Sequence, residues 1–502
     1  MKSPNILILH ADQLRYDGLG CNGNAHARTP HIDAIAAEGS VFTRHIAANP
    51  ICMPSRASFF TGLYPSGHNV WSNGVPLSRD RDTGPVGSWP LPPGARSLRT
   101  LADVFSAGGY DTASFGKLHL TPNRSPLEYG GAENWALMDI GGLRNWHGPY
   151  YGFRHVEMTK GHAEEPCQSG HYADWLEAEH PEIRARALGT KATSAYPLPE
   201  RRDIYASPVP SECHHSLWLA DRFADYLHAR PANQPFFAFV GFPDPHHAFT
   251  PSHDIAAQFE NAPVREPGDP EGLGWRNCPM REQLERHHCI SNLDAEERRV
   301  IIRYTYAMIH TIDLAVGRIT AALKAHGLWE NTVIVVTSDH GDFLCDHALL
   351  YKASVGSNSL LRVPFVLRAP GCDLPSRVDR VMSNCDVLPT LAALAGLQQP
   401  TGIHGRDILP VIREARSHIA MAQCFTGDPA GNNITVYDDR YRLTWWPEHQ
   451  VVELFNHIDD PEEIHDIADC PETATVRLEL LECLKEQTLR HTNPILSKLG
   501  GW

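Results

Sequence analysis

The chain has 502 residues, enough for one large domain with a smaller one beside it. Its 42% hydrophobic and 21% charged residues are the composition of a folded globular protein, which excludes an intrinsically disordered chain. A net charge of −15 argues against the basic surface that nucleic-acid binding needs, yet leaves room for a local positive pocket around a small anion.

The chain opens Met1-Lys2-Ser3-Pro4-Asn5 and runs into Ile6-Leu7-Ile8-Leu9. That apolar run is too short for the core of a signal peptide, and no run approaches the length of a membrane span, so the expectation is a cytoplasmic protein with no membrane partner. The 12 cysteines are scattered without a C-x-x-C pair or a regular framework, as in a reducing compartment. Residues 5–10 predict a buried strand. Thr29-Pro30 opens a helix that turns Ile32, Ile35 and Ala36 to one side. A strand follows over 41–46, then a helix over 54–61 stopped by Gly62. Ser97 begins a further helix, with Leu98, Leu101, Val104 and Phe105 at helical spacing and Gly108-Gly109 as its stop. Apolar strands recur at 111–115, 236–242, 333–337 and 363–367, with a long helix over 297–325. Residues 121–210 have no regular pattern, and a loop of that length inside an enzyme is usually functional or mobile. Beyond about residue 400 the pattern changes to short strands at 433–436 and 440–445 and a helix over 473–489. The predicted organisation is therefore an α/β domain over 1–400, with a large, mixed, mostly parallel sheet flanked by helices, and a small α+β domain over 401–502. Apolar residues in the tail 493–502 suggest docking on a second copy or on the protein's own core, and hence a homo-oligomer.

Ligands of such sheets bind at the carboxyl ends of the strands. Four polar clusters fall there: His10-Ala11-Asp12, Gly116-Lys117-Leu118-His119, the stretch from Pro243 to His247, and Ser338-Asp339-His340. A fifth string, Cys52-Met53-Pro54-Ser55-Arg56, sets a cysteine just ahead of a helix start with an arginine one turn on. Both features favour a thiolate and an anion.

That string, continued as Ala57-Ser58-Phe59-Phe60-Thr61-Gly62, resembles the signature of the formylglycine-dependent sulfatases, in the alkaline phosphatase superfamily. The resemblance covers almost the whole chain. N-I-L-x-x-x-x-D, the cysteine string, G-K-x-H, P-H before an aromatic, S-D-H-G-D and a following lysine come in the family's order. Val452-Glu453-Leu454-Phe455-Asn456 and Asp460-Pro461-Glu462-Glu463 resemble its C-terminal strings.

The resemblance implies an alkaline-phosphatase-like fold and hydrolysis of a sulfate monoester. Cys52 would be oxidised by a formylglycine-generating enzyme to formylglycine, whose hydrate carries one hydroxyl to attack sulfur and another to expel sulfate. One divalent metal would be held by Asp12, Asp339, His340 and the modified Cys52. Calcium comes first, and the nitrogen of His340 leans the set towards manganese or zinc. Arg56 belongs to the catalytic string. Lys117 and Lys352 resemble the sulfate-binding lysines. His119 resembles the base that receives the second hydroxyl's proton, and His246 the group at the leaving oxygen; His246 is preferred to His247 because it directly follows Pro245. Two departures from the family pattern, Asp12-Gln13 and His340, are similar to the choline-sulfatase and phosphonate-monoester-hydrolase branch. There Gln13 faces metal or substrate, and Asn73 either contacts substrate or holds a turn before Gly74. A phosphonate monoester or phosphodiester hydrolase is thus the first alternative, and a binding protein on a decayed scaffold the second. His10, His68 and His347 are read as structural. The alcohol released is not encoded in any motif.

Overall fold

The computed structural model describes residues 3–85, 97–129, 131–189, 203–272, 274–275, 277–414 and 418–491. The tail 493–502, on which the expectation of an oligomer rests, lies outside them.

The first strand, β1 (Asn5–Asp12), is buried along its whole length. It is buried because both its faces are covered. Leu7, Leu9 and Ala11 pack into one apolar cluster, while Ile6 and Ile8 pack into another on the opposite face. Seven more strands join it in one sheet: β2 (Ser40–Ile46), β3 (Asp111–Gly116), β4 (His155–Glu157), β5 (Phe236–Pro245), β6 (Thr332–Ser338), β7 (Arg362–Arg368) and β8 (Arg377–Ser383). Their order is β4-β3-β5-β1-β6-β7-β2-β8. The pairs from β4 to β6 are parallel, and β7 runs antiparallel to both β6 and β2. This is the large mixed, mostly parallel sheet that the alternating pattern predicts.

Helix α1 (Pro30–Ala37) and helix α2 (Cys52–Thr61) flank it, with α3 (Leu101–Ala107), α4 (His171–Glu179), α5 (Pro181–Gly189), α6 (His215–Ala229) and the long α7 (Ala295–Ala325). The latter begins in a capping box in which Asp294 and Glu297 each accept from the other's backbone. A second, antiparallel sheet is formed by β9 (Ala420–Cys424), β10 (Asn433–Tyr437), β11 (Tyr441–Trp446) and β12 (Val451–Asn456), with α8 (Ala474–His491) packed on it through Leu480 and Leu484. Among the described residues, no helix is long and apolar enough to cross a membrane.

Three local expectations need correction. The helix expected from Ser97 starts at Leu101, with Thr100 and Asp103 as its capping box. Leu98 lies outside the helix, its N–H bonded to the Ser78 carbonyl at 3.0 Å. Helix α2 starts at Cys52, two residues before Pro54, because the first N–H groups of a helix need no internal acceptor and Asn73 Oδ1 accepts from the Met53 N–H at 3.0 Å. The stretch expected to be irregular over 121–210 contains strand β4 and helices α4 and α5, whose amphipathic signal is broken up by His, Trp and Pro.

Candidate active site

Asp12 is the last residue of β1, and Asp339 and His340 follow the end of β6, its parallel neighbour. The two strand ends therefore deliver three polar side chains to one place. Gln13, in a left-handed turn at φ 68, directs its N–H to Asp339 Oδ1 at 3.0 Å. The start of α2 faces this pair. Cys52 Sγ lies 3.2 Å from His340 Nε2 and 3.8 Å from Asp12 Oδ1. One turn on, the buried guanidinium of Arg56 donates from Nε to Asp339 Oδ2 at 2.8 Å and from a terminal nitrogen to Asp12 Oδ2 at 3.2 Å. A buried carboxylate pair is sustained only when charges of opposite sign face it. Arg56 meets both carboxylates, and Lys117 Nζ stands 2.5 Å from Asp12 Oδ2.

These neighbours set the ionisation of the cluster. Burial raises the Asp12 carboxyl, but Lys117, His246 and Arg56 outweigh it and hold the group well below the usual carboxylate range. Burial and the Asp12 charge push the Cys52 thiol up, while Lys352, His340 and Lys117 pull it down, and the net shift is downward. Asp12, Cys52, Asp339 and His340 offer four ligand atoms within 4.8 Å of one another. Their chemistry fits a divalent cation. His340 donates Nδ1–H to the Gly341 carbonyl at 2.9 Å, which leaves the Nε2 lone pair facing the cluster, the arrangement typical of a metal-binding imidazole.

Cys52, Asn73, His119, His246 and Lys352 line a cavity of about 710 Å³, and Lys117 and Gln13 lie against that lining through hydrogen bonds and an ion pair. Lys117 arrives at the end of β3, where the chain passes Gly241 too closely for a side chain: a Cβ on Gly116 would lie 2.1 Å from the Gly241 carbonyl oxygen. Lys352 Nζ donates to Gln13 Oε1 and to His246 Nε2, each at 2.6 Å. Gln13 Nε2 also bonds Asp342 and lies 2.9 Å from His247 Nδ1. Gln13 is thus a bracket between Lys352 and the strand ends. Both His246 and His247 line the cavity, and His246 is the one that meets a lysine. Asn73 lines it too, with its carbonyl oxygen holding the start of α2. His119, at φ 58, also lines it, and burial followed by Lys117 and Arg56 puts its pKa well below the ordinary histidine value. His10 packs between Phe59 and Phe239, His68 bonds Ser58, and His347 bonds Asp269; none of the three lines this cavity.

Glu133 and His162 are among the residues at the site that no motif names. Glu133 is buried and gathers the backbone N–H groups of His119, Leu120 (2.7 Å) and Thr121 (2.9 Å) on its carboxylate, with the Tyr150 hydroxyl at 2.7 Å. It shapes the turn that carries His119. His162 lies beside Lys117 and His246. Neither sits at a strand end or in a motif.

The family model described as Sulfatase matches residues 4–397, and the one described as N-sulphoglucosamine sulphohydrolase, C-terminal, matches residues 340–490. An arylsulfatase of Clostridium perfringens is 27% identical over 486 residues, covering 93% of this chain and 91% of that protein. The multifunctional alkaline phosphatase superfamily protein PehA of Trinickia caryophylli is 28% identical, covering 83% of this chain and 78% of its own length. In structure, a phosphonate monoester hydrolase of Agrobacterium radiobacter superposes with a TM-score of 0.77 at 25% identity, over 97% of this chain and 96% of that one. The match over most of the chain, together with strand ends that bring Asp12, Lys117, Asp339 and His340 against Cys52, makes this protein an enzyme of the sulfatase family.

Proposed function

We propose that this protein hydrolyses a sulfate monoester with a nucleophile made from Cys52 by its oxidation to formylglycine. The observation that carries the proposal is the pair of lysines at the cluster. Each ammonium has three hydrogens. Lys117 gives two to Asp12 and His162, and Lys352 gives two to Gln13 and His246, so each keeps one for an anion. Two such donors beside Cys52 suit the three unesterified oxygens of a sulfate monoester.

Hydrated formylglycine supplies the attacking oxygen, and a divalent cation at Asp12, Asp339 and His340 supplies the charge that favours its ionised form. Arg56 keeps both carboxylates ionised and in place. As the ester S–O bond breaks, the alcohol oxygen takes a proton at the His246–Lys352 pair. His119 receives the proton released when the aldehyde re-forms and sulfate departs. Burial and the neighbouring Lys117 and Arg56 charges disfavour the protonated form of His119.

A phosphonate monoester or phosphodiester hydrolase is the second reading. It is supported by the likeness to the Agrobacterium enzyme and by Gln13 and His340, which this site has in place of a second aspartate and an asparagine. The reactions separate on kcat/KM for nitrophenyl sulfate, a nitrophenyl phenylphosphonate and bis-nitrophenyl phosphate. The proposal predicts a preference for the sulfate of about tenfold or more. A preference for the phosphonate or the diester transfers the assignment to the second reading. No turnover of any of them by metal-loaded, formylglycine-bearing protein overturns both.

A further inference from the structure

The chemistry above uses His119, His246 and His340, and a fourth imidazole touches both arms of the site. His162 stands on the segment between β4 and α4, where no motif pointed. Its placement is fixed locally: Gly161 takes φ +62, and the His162 N–H bonds the Glu165 carboxylate at 2.9 Å. The ring lies flat on His246, with centroids 3.5 Å apart and planes 10° from parallel. Its Nε2 accepts from Lys117 Nζ at 3.1 Å.

Each contact removes a freedom that the reaction cannot tolerate. A lysine ammonium turns readily about its last bond, and Asp12 alone would hold it at one point only. The Nε2 of His162 is the second point, and it fixes where the third hydrogen of Lys117 lies. His246 is tethered within its plane, since Nδ1 meets the His247 carbonyl and Nε2 meets Lys352. Nothing in those two bonds sets the tilt of the ring, whereas a flat partner at van der Waals distance does.

We propose that His162 is a positioning residue that holds Lys117 for the anion through Nε2 and sets the plane of His246 for the leaving oxygen through its ring face. The inference rests on the roles given to Lys117 and His246 in the preceding proposal. One side chain thereby links the group that binds the anion to the group that serves the departing alcohol.

Two substitutions separate the contacts. His162→Phe keeps a flat ring on His246 and removes the acceptor for Lys117. His162→Gln keeps an acceptor and removes the ring. Expected for the phenylalanine variant is a rise of about tenfold in both the KM for nitrophenyl sulfate and the inhibition constant of inorganic sulfate, with the ratio of nitrophenyl to alkyl sulfate unchanged. The glutamine variant should keep sulfate inhibition within about threefold and shift that substrate ratio about fivefold towards nitrophenyl sulfate. Free imidazole added to His162→Ala should restore both properties in part, which keeps the test decisive if either larger variant folds poorly. Equal losses on both substrates in both variants, with no rescue by imidazole, overturn the inference and leave His162 as packing. Failure of the unmutated enzyme to cleave either sulfate overturns the function proposed above, and this inference with it.

Discussion

On the floor of the cavity, Asp12, Asp339 and His340 stand on the last residues of two parallel strands or just beyond them, and Cys52 opens a buried helix. On the wall, His119 and His162 stand on irregular chain, held by the carboxylates of Glu133 and Glu165. The floor is rigid because the sheet fixes it. The wall is placed by single side chains that satisfy backbone N–H groups, and each of these is a point at which it can be loosened. In the function proposed above, the strand ends and the helix start hold the cluster around Cys52, while the irregular wall holds His119, which serves the departure of sulfate, and His162, which meets Lys117 and His246.

The largest effect should come from the floor. Asp339→Asn keeps the shape of the side chain and halves the carboxylate charge beside Arg56. Elemental analysis should find one equivalent of metal lost, and turnover should fall by about 10³-fold or more. Full turnover in thoroughly demetallated enzyme contradicts the assignment of the cluster. Next in size are the two histidines, which separate the step served from the end of β5 by His246 from the step served from the wall by His119. His246→Ala should be mild with nitrophenyl sulfate, whose leaving group needs no proton, and slower by about 10²-fold or more with an alkyl sulfate. His119→Ala should slow both substrates to a common turnover and show a burst of alcohol in the first cycle under rapid mixing. If the dependence on leaving group appears in His119→Ala instead, the two roles are exchanged.

Glu133→Gln sharpens the comparison from the wall side. The amide replaces one acceptor oxygen with a donor that faces backbone N–H groups, so stability should fall by about 2–3 kcal/mol in denaturant titration. Turnover of nitrophenyl and alkyl sulfate should fall alike, through the displaced His119, while the metal content stays whole. A variant that loses its metal would show that wall and floor are not independent. The smallest effect is expected for Asn73→Ala, which removes the side-chain acceptor at the start of α2. A cost of about 1 kcal/mol in stability is expected from the loss of one helix-start hydrogen bond. A rise in KM far beyond the stability effect would instead mark Asn73 as a contact to substrate.

The same contrast explains which parts of the site are legible in the sequence. The floor was legible: a buried apolar strand announces its own end, and Asp12, Lys117 and Asp339 lie one or two residues past such runs. The motif order supplied Cys52, Arg56, His119, His246 and Lys352, and the cavity contains them all except Arg56, which lies beneath it against both carboxylates. Glu133 and His162 were not legible. Their roles depend on hydrogen bonds and ring contacts across 12 to 84 residues of chain, which no local periodicity encodes. The helix expected from Ser97 failed for a related reason, since Leu98 has helical spacing but its N–H is claimed by Ser78. Helix α2 began early because its first turn is completed from Asn73, twenty residues away in sequence.

The measurement closest to the central claim is mass analysis of the peptide containing Cys52, on protein whose specific activity has been determined in the same preparation. The account predicts that residue 52 has exchanged its thiol for an aldehyde, that the modified fraction rises in proportion to activity, and that Cys52→Ala has a native fold with turnover lower by about 10⁴-fold or more. An unmodified thiol in fully active protein would contradict it.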